Sequence, residues 1–506
     1  MPLGPIIRIE KMEIGPTRYA CHRADPKPWL QPTLGCVPRD DGAKRKRNSE
    51  RVRTPGPLLH KRVPSGRGAS EQPNQTSDEA PLTPRFWLVL CASGVVTGLL
   101  GAFLMWVLAG VEHLAFNTPQ GGSYTASVAA TSAAHRVTTL IAAGVIGGVS
   151  WYLIRRLLAR ERSEIDDALW RGDARLSPRR SILTSLVSEV VVGMGASIGR
   201  EAAPKLMGGV SGSVLSIAAG LTPSQRRLVV ACCGGAGLAA VYNVPIGGAI
   251  FTAEVLYGSF ALPVALPALA CSSIATFSGW IWLPRHATYV DVPAYPFSMS
   301  LLVLSLLGGL AIGGACIGFV RLIGWVSHHR ASGTHLMWAM PVAFGVLGVV
   351  SIRYPQLLGN GIDMAHDAFL GLGTAGLLAA LAALKPLVTA ICLEGGASGG
   401  LFTPLLATGA TLGALLGTGW VHVWPGAPVG AASLVCAAAM IGAAMQAPLS
   451  GLVLVLELTH GGFGVAVPML AATVLASLLV RQVDGYSIYT ARLPSGELGV
   501  GLTEMG

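Results

Sequence analysis

Charge is scarce in this 506-residue chain: Asp, Glu, Lys and Arg make up 12% of it against 52% hydrophobic residues. Soluble domains carry about 25% charge. The scarcity is also uneven. Residues 1–84 hold 15 of the 36 Lys and Arg and 9 of the 26 Asp and Glu, a net of +6, which leaves 38 charges for the other 422 residues. That excludes a large soluble enzyme, a fibre and a disordered hub, and leaves a polytopic helical membrane protein. Cysteine patterning is missing too. None of the nine cysteines forms a C-x-x-C pair and most lie in apolar runs, where a thiol acts as a small hydrophobe. No disulfide framework, metal site or cofactor is expected.

The first 84 residues are rich in Pro, Gly and Arg and carry the basic run Lys44-Arg45-Lys46-Arg47. They lack an amphipathic period, so a disordered tail is expected, and a signal peptide is not, because the first long apolar segment begins near Phe86. Beside a membrane such a basic run contacts anionic lipid or marks the cytoplasmic face, and no nucleic-acid partner is expected. Phe86 to Val111 and Arg136 to Leu158 are each long enough to span a bilayer. The connection after them contains eight arginines between Arg155 and Arg180, again a cytoplasmic signature. Two spans return the chain to the face of its tail, so the two cues agree on a cytoplasmic N-terminus; the expected location is the cell (inner) membrane.

Beyond Ser181 the apolar runs break at Gly or Pro every ~10–16 residues, too short to cross ~30 Å as straight helices. Broken helices in a membrane are tolerated where they are buried or line a cavity. The breaks are also duplicated. Asn243-Val-Pro245 and Gln446-Ala-Pro448 each place Pro two residues after an amide, Gly five after it (Gly248, Gly451) and Glu eleven after it (Glu254, Glu457). Upstream, Ala196-Ser-Ile-Gly199-Arg-Glu-Ala-Ala-Pro204 pairs with Ala397-Ser-Gly-Gly-Leu-Phe-Thr-Pro404. Packing of small residues explains scattered glycines, but not an amide, Pro, Gly and Glu repeated in order. Duplicated halves with interrupted segments at matching places point to a transporter site at the repeat interface.

At Gly195 to Pro204 and Gly400 to Pro404 two helix starts are expected, each offering backbone N–H groups and a positive dipole end to an anion. One helix end supplies ~0.3–2 kcal/mol, whereas desolvating a buried anion costs several kcal/mol, so several donors must converge. Arg200 and Glu201 sit in this apolar stretch, where a charge costs at least ~2.5–3.5 kcal/mol. An ionised Glu201 can occupy an anion's place, and a protonated one can swing aside, making it gate and proton carrier at once. The bland alternative is a structural Arg200–Glu201 ion pair. Glu254 and Glu457 read as structural partners at helix ends, and His328-His329 as a poor metal signal.

Five stretches, Gly199-Arg-Glu-Ala-Ala-Pro204, Tyr242-Asn-Val-Pro-Ile-Gly-Gly, Gly400-Leu-Phe-Thr-Pro404, Gln446-Ala-Pro-Leu-Ser-Gly and Ser487-Ile-Tyr489, stand in the order and spacing of one family. Over residues 86 to 495 the sequence resembles the CLC family of chloride channels and proton-coupled chloride antiporters, of the prokaryotic type without C-terminal regulatory domains. The resemblance implies a homodimer with one chloride pathway per subunit, Glu201 as the gating glutamate, the amides of Leu401 and Phe402 and the hydroxyl of Tyr489 around a central anion, and the segment Gly199, Arg200 and Glu201 at an outer one. Such donors hold an anion without trapping it. The sequence departs from the family at three places. Its Gly-Ser-Gly-Ile-Pro loop is absent, leaving Ser163 as the candidate inner contact. Ala202 replaces a glycine. Val255 stands where many exchangers carry an internal proton-relay glutamate, as in channel-like members.

The expected fold class is an all-α polytopic membrane protein of two inverted-topology repeats of tilted and broken helices. The expected division is a basic tail (1–84), a first repeat (85–285), a second repeat (286–495) and a short C-terminal tail (496–506). The expected function is anion transport gated by Glu201, as a passive voltage-gated channel or as a proton-coupled antiporter. An intramembrane serine protease is the remote alternative, from Gly396-Ala-Ser398-Gly399 with His422 and His460 as bases.

Overall fold

Hydroxyl side chains open many of the helices. Thr83, Ser123, Ser132, Ser177, Thr222, Ser298 and Thr374 each accept a backbone N–H two or three residues into the helix that follows, which satisfies donors the helix cannot pair itself. The computed structural model describes residues 82–158, 165, 168–169 and 173–492. The expected tails, apart from residues 82–84, and Ser163 lie outside the described residues.

The first half runs through α1 (Pro84–Phe116), α2 (Tyr124–Ala130), α3 (Ala133–Leu157), α4 (Pro178–Gly193), α5 (Ala202–Ala218), α6 (Pro223–Tyr242), α7 (Pro245–Phe251) and α8 (Leu262–Gly279). The second contains α9 (Met299–His328), α10 (Leu336–Arg353), α11 (Ile362–Phe369), α12 (Ala375–Glu394), α13 (Phe402–Trp420), α14 (Val429–Met445), α15 (Pro448–Thr459) and α16 (Ala466–Val483). The described residues form no β-strand, only one isolated bridge between Gly199 and Gly400. The fold is all-helical, as the sequence pattern requires.

Seven of the described helices are long and apolar enough to cross a membrane. At 1.5 Å per residue, the 33 residues of α1 extend about 50 Å, well beyond a ~30 Å hydrocarbon layer, so α1 crosses tilted. Between 39% and 50% of each spanning segment is buried in the protein. The outer faces stay apolar, with Leu88, Trp106, Phe277 and Trp338 all more than half exposed; lipid is the environment that accepts them. Helices approach closely over small residues: a Cβ on Gly144 of α3 would stand 2.5 Å from Pro341 Cα of α10.

The duplicated motif has a structural meaning at each of its positions. Asn243 and Gln446 end α6 and α14 in the left-handed conformation, φ 57° and 54°, which asparagine adopts most readily after glycine. Pro245 and Pro448 begin α7 and α15. Gly248 and Gly451 let each of these short helices press on the helix before it, since a Cβ would lie 2.6 Å from Ala239 Cβ and 2.6 Å from Gly442 N. The glutamates then cross between repeats. Glu457 accepts the N–H groups of Ile246 (3.1 Å) and Gly247 (2.5 Å) at the start of α7. Glu254 accepts those of Leu449 (3.3 Å) and Ser450 (2.6 Å) at the start of α15, with the Ser450 hydroxyl at 2.7 Å. Each half caps a helix of the other, the structural role expected of this pair.

Candidate functional site

Two loops carry the site, one from each half. Gly195 and Gly396 turn the chain after α4 and α12 with φ of 112° and 105°, a region closed to side-chain-bearing residues. Four residues on, Gly199 and Gly400 exchange two backbone hydrogen bonds, Gly199 N to Gly400 O at 2.7 Å and Gly400 N to Gly199 O at 2.8 Å. This antiparallel clasp holds the starts of α5 and α13 against each other. A Cβ on either glycine would collide with the Glu201 carboxylate, so glycine makes room for that side chain.

Glu201 stands at the entry to α5 and is 6% exposed. Its carboxylate lies at the N-terminus of α13, accepting the Phe402 N–H at 2.6 Å and the Thr403 hydroxyl at 3.0 Å. Thr403 in turn shares a hydrogen bond of 2.9 Å with the Tyr242 hydroxyl. A charged acceptor on two oriented donors and a helix dipole is a strong arrangement, worth about 1.5–3 kcal/mol per bond. It is also the donor set that a small anion would use.

The Arg200–Glu201 ion pair is not formed among the described residues. The Arg200 guanidinium lies over the Tyr242 ring at 5.0 Å, a cation–π placement that turns it from the carboxylate. A cavity of about 70 Å³ adjoins the seat and is lined by Glu201, Leu401, Phe402, Tyr489, Lys205 and Arg492 among others. Thus Gly199, Glu201, Leu401, Phe402 and Tyr489 are brought together, Arg200 borders them from behind Tyr242, and Ser163 lies outside the described residues. A second cavity of about 130 Å³ shares Ala202, Lys205, Gly399 and Arg492 with the first, and adds Ser185, Ser188, Arg330 and Ser398. Lys205 lies 5.1 Å from the centre of the Tyr489 ring, so this wider vestibule is strongly basic. Such a charge raises the local concentration of anions.

The Ser398 hydroxyl accepts a hydrogen bond from Arg155 at 3.2 Å and its carbonyl one from Ser188 at 2.9 Å, a loop-fixing role in place of the histidine partner a nucleophile would need.

Sequence reasoning passed over four residues here. Thr403 and Tyr242 stood inside quoted motifs without being singled out. Lys205 and the fully buried Lys385 are charges inside apolar helices, the signal that did find Glu201. Lys385 donates to Ser197 Oγ (2.8 Å) and Gly359 O (2.9 Å), and so ties the loop ahead of Gly199 to the turn before α11.

Comparison with known proteins agrees with this geometry. The family profile described as "Voltage gated chloride channel" matches residues 146–481. A relative named putative chloride channel protein ClcB-like, from Ralstonia nicotianae, is 32% identical over 403 residues, covering 77% of this chain and 90% of its own. The H(+)/Cl(-) exchange transporter ClcA of Yersinia pestis is 28% identical over 312 residues, 60% of this chain and 65% of that protein's length. Among solved structures, a slow cyanobacterial Cl−/H+ antiporter superposes with a TM-score of 0.69 at 20% identity, over 81% of this chain and 97% of that one. A CLC-type fluoride/proton antiporter superposes with a TM-score of 0.64 at 18% identity, over 80% of this chain and 97% of that one. These superpositions carry the same fold, and the profile and the Ralstonia relative carry the family: the chain is a multi-pass membrane protein that belongs to the voltage gated chloride channel family.

Proposed function

We propose that the protein carries chloride or a similar small anion across the inner membrane, with the Glu201 carboxylate and the anion taking turns on the Phe402 N–H and Thr403 hydroxyl. The observation that carries this reading is the 2.6 Å and 3.0 Å contacts of Glu201 at the start of α13. While the ionised carboxylate is seated, an anion finds neither donor. Protonation removes the charge that holds the side chain there, the donors become available, and an anion from the Tyr489 side can take them. Lys205, Arg330 and Arg492 gather anions in the vestibule, and the neutral donors of the seat release them. The arginines of the connection before α4 support a cytoplasmic side for the vestibule and the N-terminal tail.

Coupling to protons follows if each anion step needs a protonation of Glu201, because the acid then carries a proton whenever it yields the seat. The protein is read as an anion/proton antiporter on this ground, and the relatives named as H(+)/Cl(-) exchangers support it. A passive channel is the second reading, favoured by Val255 and by relatives named as channels. The reversal potential of anion flux in liposomes under an imposed pH gradient separates them: antiport shifts it with the gradient, a channel leaves it unmoved. A homodimer is proposed as well. Ile246 and Leu449 are 52% and 43% exposed beside the reciprocal glutamate caps, and α8 and α16 present apolar faces next to them, where a second copy would bury them.

A further inference from the structure

Glu189 of α4 is the least explained charge among the described residues. It is fully buried, and neither carboxylate oxygen has a hydrogen-bond partner among the described residues. A structural acid at such a place would be expected to meet a donor, and leucine would fill the same space at lower cost. Its surroundings suggest what it does instead. Ser185, one helical turn earlier on the same face, lines the vestibule and donates to Ala203 O at 3.4 Å in the first turn of α5. Ser188, the preceding residue, also lines the vestibule and donates to Ser398 O at 2.9 Å. Residue 189 is therefore set one turn (about 5.4 Å) beyond the vestibule wall, between the two segments that frame Glu201. The helices packed against α4 are α1, α3 and α5. The charged groups acting on Glu189 are Arg200 and Glu201 from the lead-in to α5 and Glu112 from α1, with none from α3.

We propose that Glu189 is the inner proton-transfer residue of this protein, the counterpart in role of the glutamate that Val255 replaces. Protonated Glu189 gives its proton to the Glu201 carboxylate. The acquired proton neutralises Glu201 and leaves Glu189 as a carboxylate, with the Arg200 cation nearby to offset the new charge. Water in the vestibule, reached past Ser185 and Ser188, then returns a proton to Glu189. Anions gathered in the vestibule go on to the seat along the Tyr489 side of Lys205, so the two pathways part below Glu201. This inference rests on the antiport reading.

The test uses the full chain in liposomes, with chloride efflux read by electrode and proton uptake by a trapped pH dye. Wild type, Glu189→Gln, Glu189→Leu and Glu189→Asp are compared. Wild type is expected to move protons with chloride. Glu189→Gln and Glu189→Leu are expected to keep chloride flux within about threefold and lose at least 90% of proton flux, and Glu189→Asp to retain part of it. Glu189→Leu covers the case in which the glutamine variant fails to fold, since it buries no unpaired polar group. Unchanged coupling in the folded Gln or Leu variant overturns the role of Glu189 while leaving antiport intact. Equal loss of chloride and proton flux in a folded variant overturns it too, by making the residue structural. A wild type that moves no protons overturns the antiport reading, and this inference with it.

Discussion

Replacing Glu201 by glutamine keeps the shape of the side chain and removes its charge, so the effect can be worked from the seat itself. The carboxylate takes two charge-assisted hydrogen bonds, from Phe402 N at 2.6 Å and Thr403 Oγ1 at 3.0 Å. At about 1.5–3 kcal/mol each, against about 0.5–1.5 for a neutral pair, the change costs roughly 1–3 kcal/mol of seating. The two donors meet different carboxylate oxygens, so in the same pose the amide turns its NH2 toward one of them, which pushes the loss toward the upper end. A factor of ten corresponds to 1.4 kcal/mol, so chloride should bind about 5–150-fold more tightly in Glu201→Gln. The larger consequence is qualitative. With no titrating group in the seat, flux measured in liposomes from pH 4.5 to 7.5 should become flat, and proton movement should stop. A variant that keeps the wild-type pH profile would refute Glu201 as the gate.

Tyr489→Phe removes one hydroxyl donor from the inner cavity, so chloride affinity by calorimetry should fall about 2–10-fold with folding unchanged; unchanged affinity removes Tyr489 from the pathway. Gly400→Ala puts a methyl group where the Glu201 carboxylate sits, and should reproduce the pH-flat flux of Glu201→Gln if the protein assembles. Glu457→Gln weakens the cap on α7 (bonds of 3.1 and 2.5 Å) and should cost about 1–2 kcal/mol, seen as a lower melting temperature in detergent with anion selectivity retained. Lys205→Met should slow chloride flux several-fold at low chloride and little at high chloride, since the vestibule charge concentrates the ion without gripping it.

The sequence carried much of this because membrane chains punish irregularity. A broken helix, a buried charge or a left-handed turn survives in lipid only where it is compensated, so Gly195, Glu201, Asn243, Pro245 and Glu254 stood out against an apolar background, and all of them but Glu201 have a counterpart at the matching position in the second half. What was not legible is three-dimensional. Periodicity cannot show that Glu457 crosses to cap α7, that Gly199 clasps Gly400, or that Arg200 stacks on Tyr242 instead of pairing with the neighbouring Glu201. The residues passed over, Lys205, Lys385 and Glu189, were open to the rule that found Glu201. They were missed because they lie outside any repeated motif, and only the fold brings Lys385 and Glu189 near the seat.

The most direct test is to locate a heavy halide. Crystals of the wild type and of Glu201→Gln, grown above pH 8 and soaked in bromide, should differ at one place: anomalous density within hydrogen-bond reach of Phe402 N and Thr403 Oγ1 in the variant, and the carboxylate there in the wild type. Bromide on those donors in both crystals, with Glu201 still seated, would contradict competition for a shared seat.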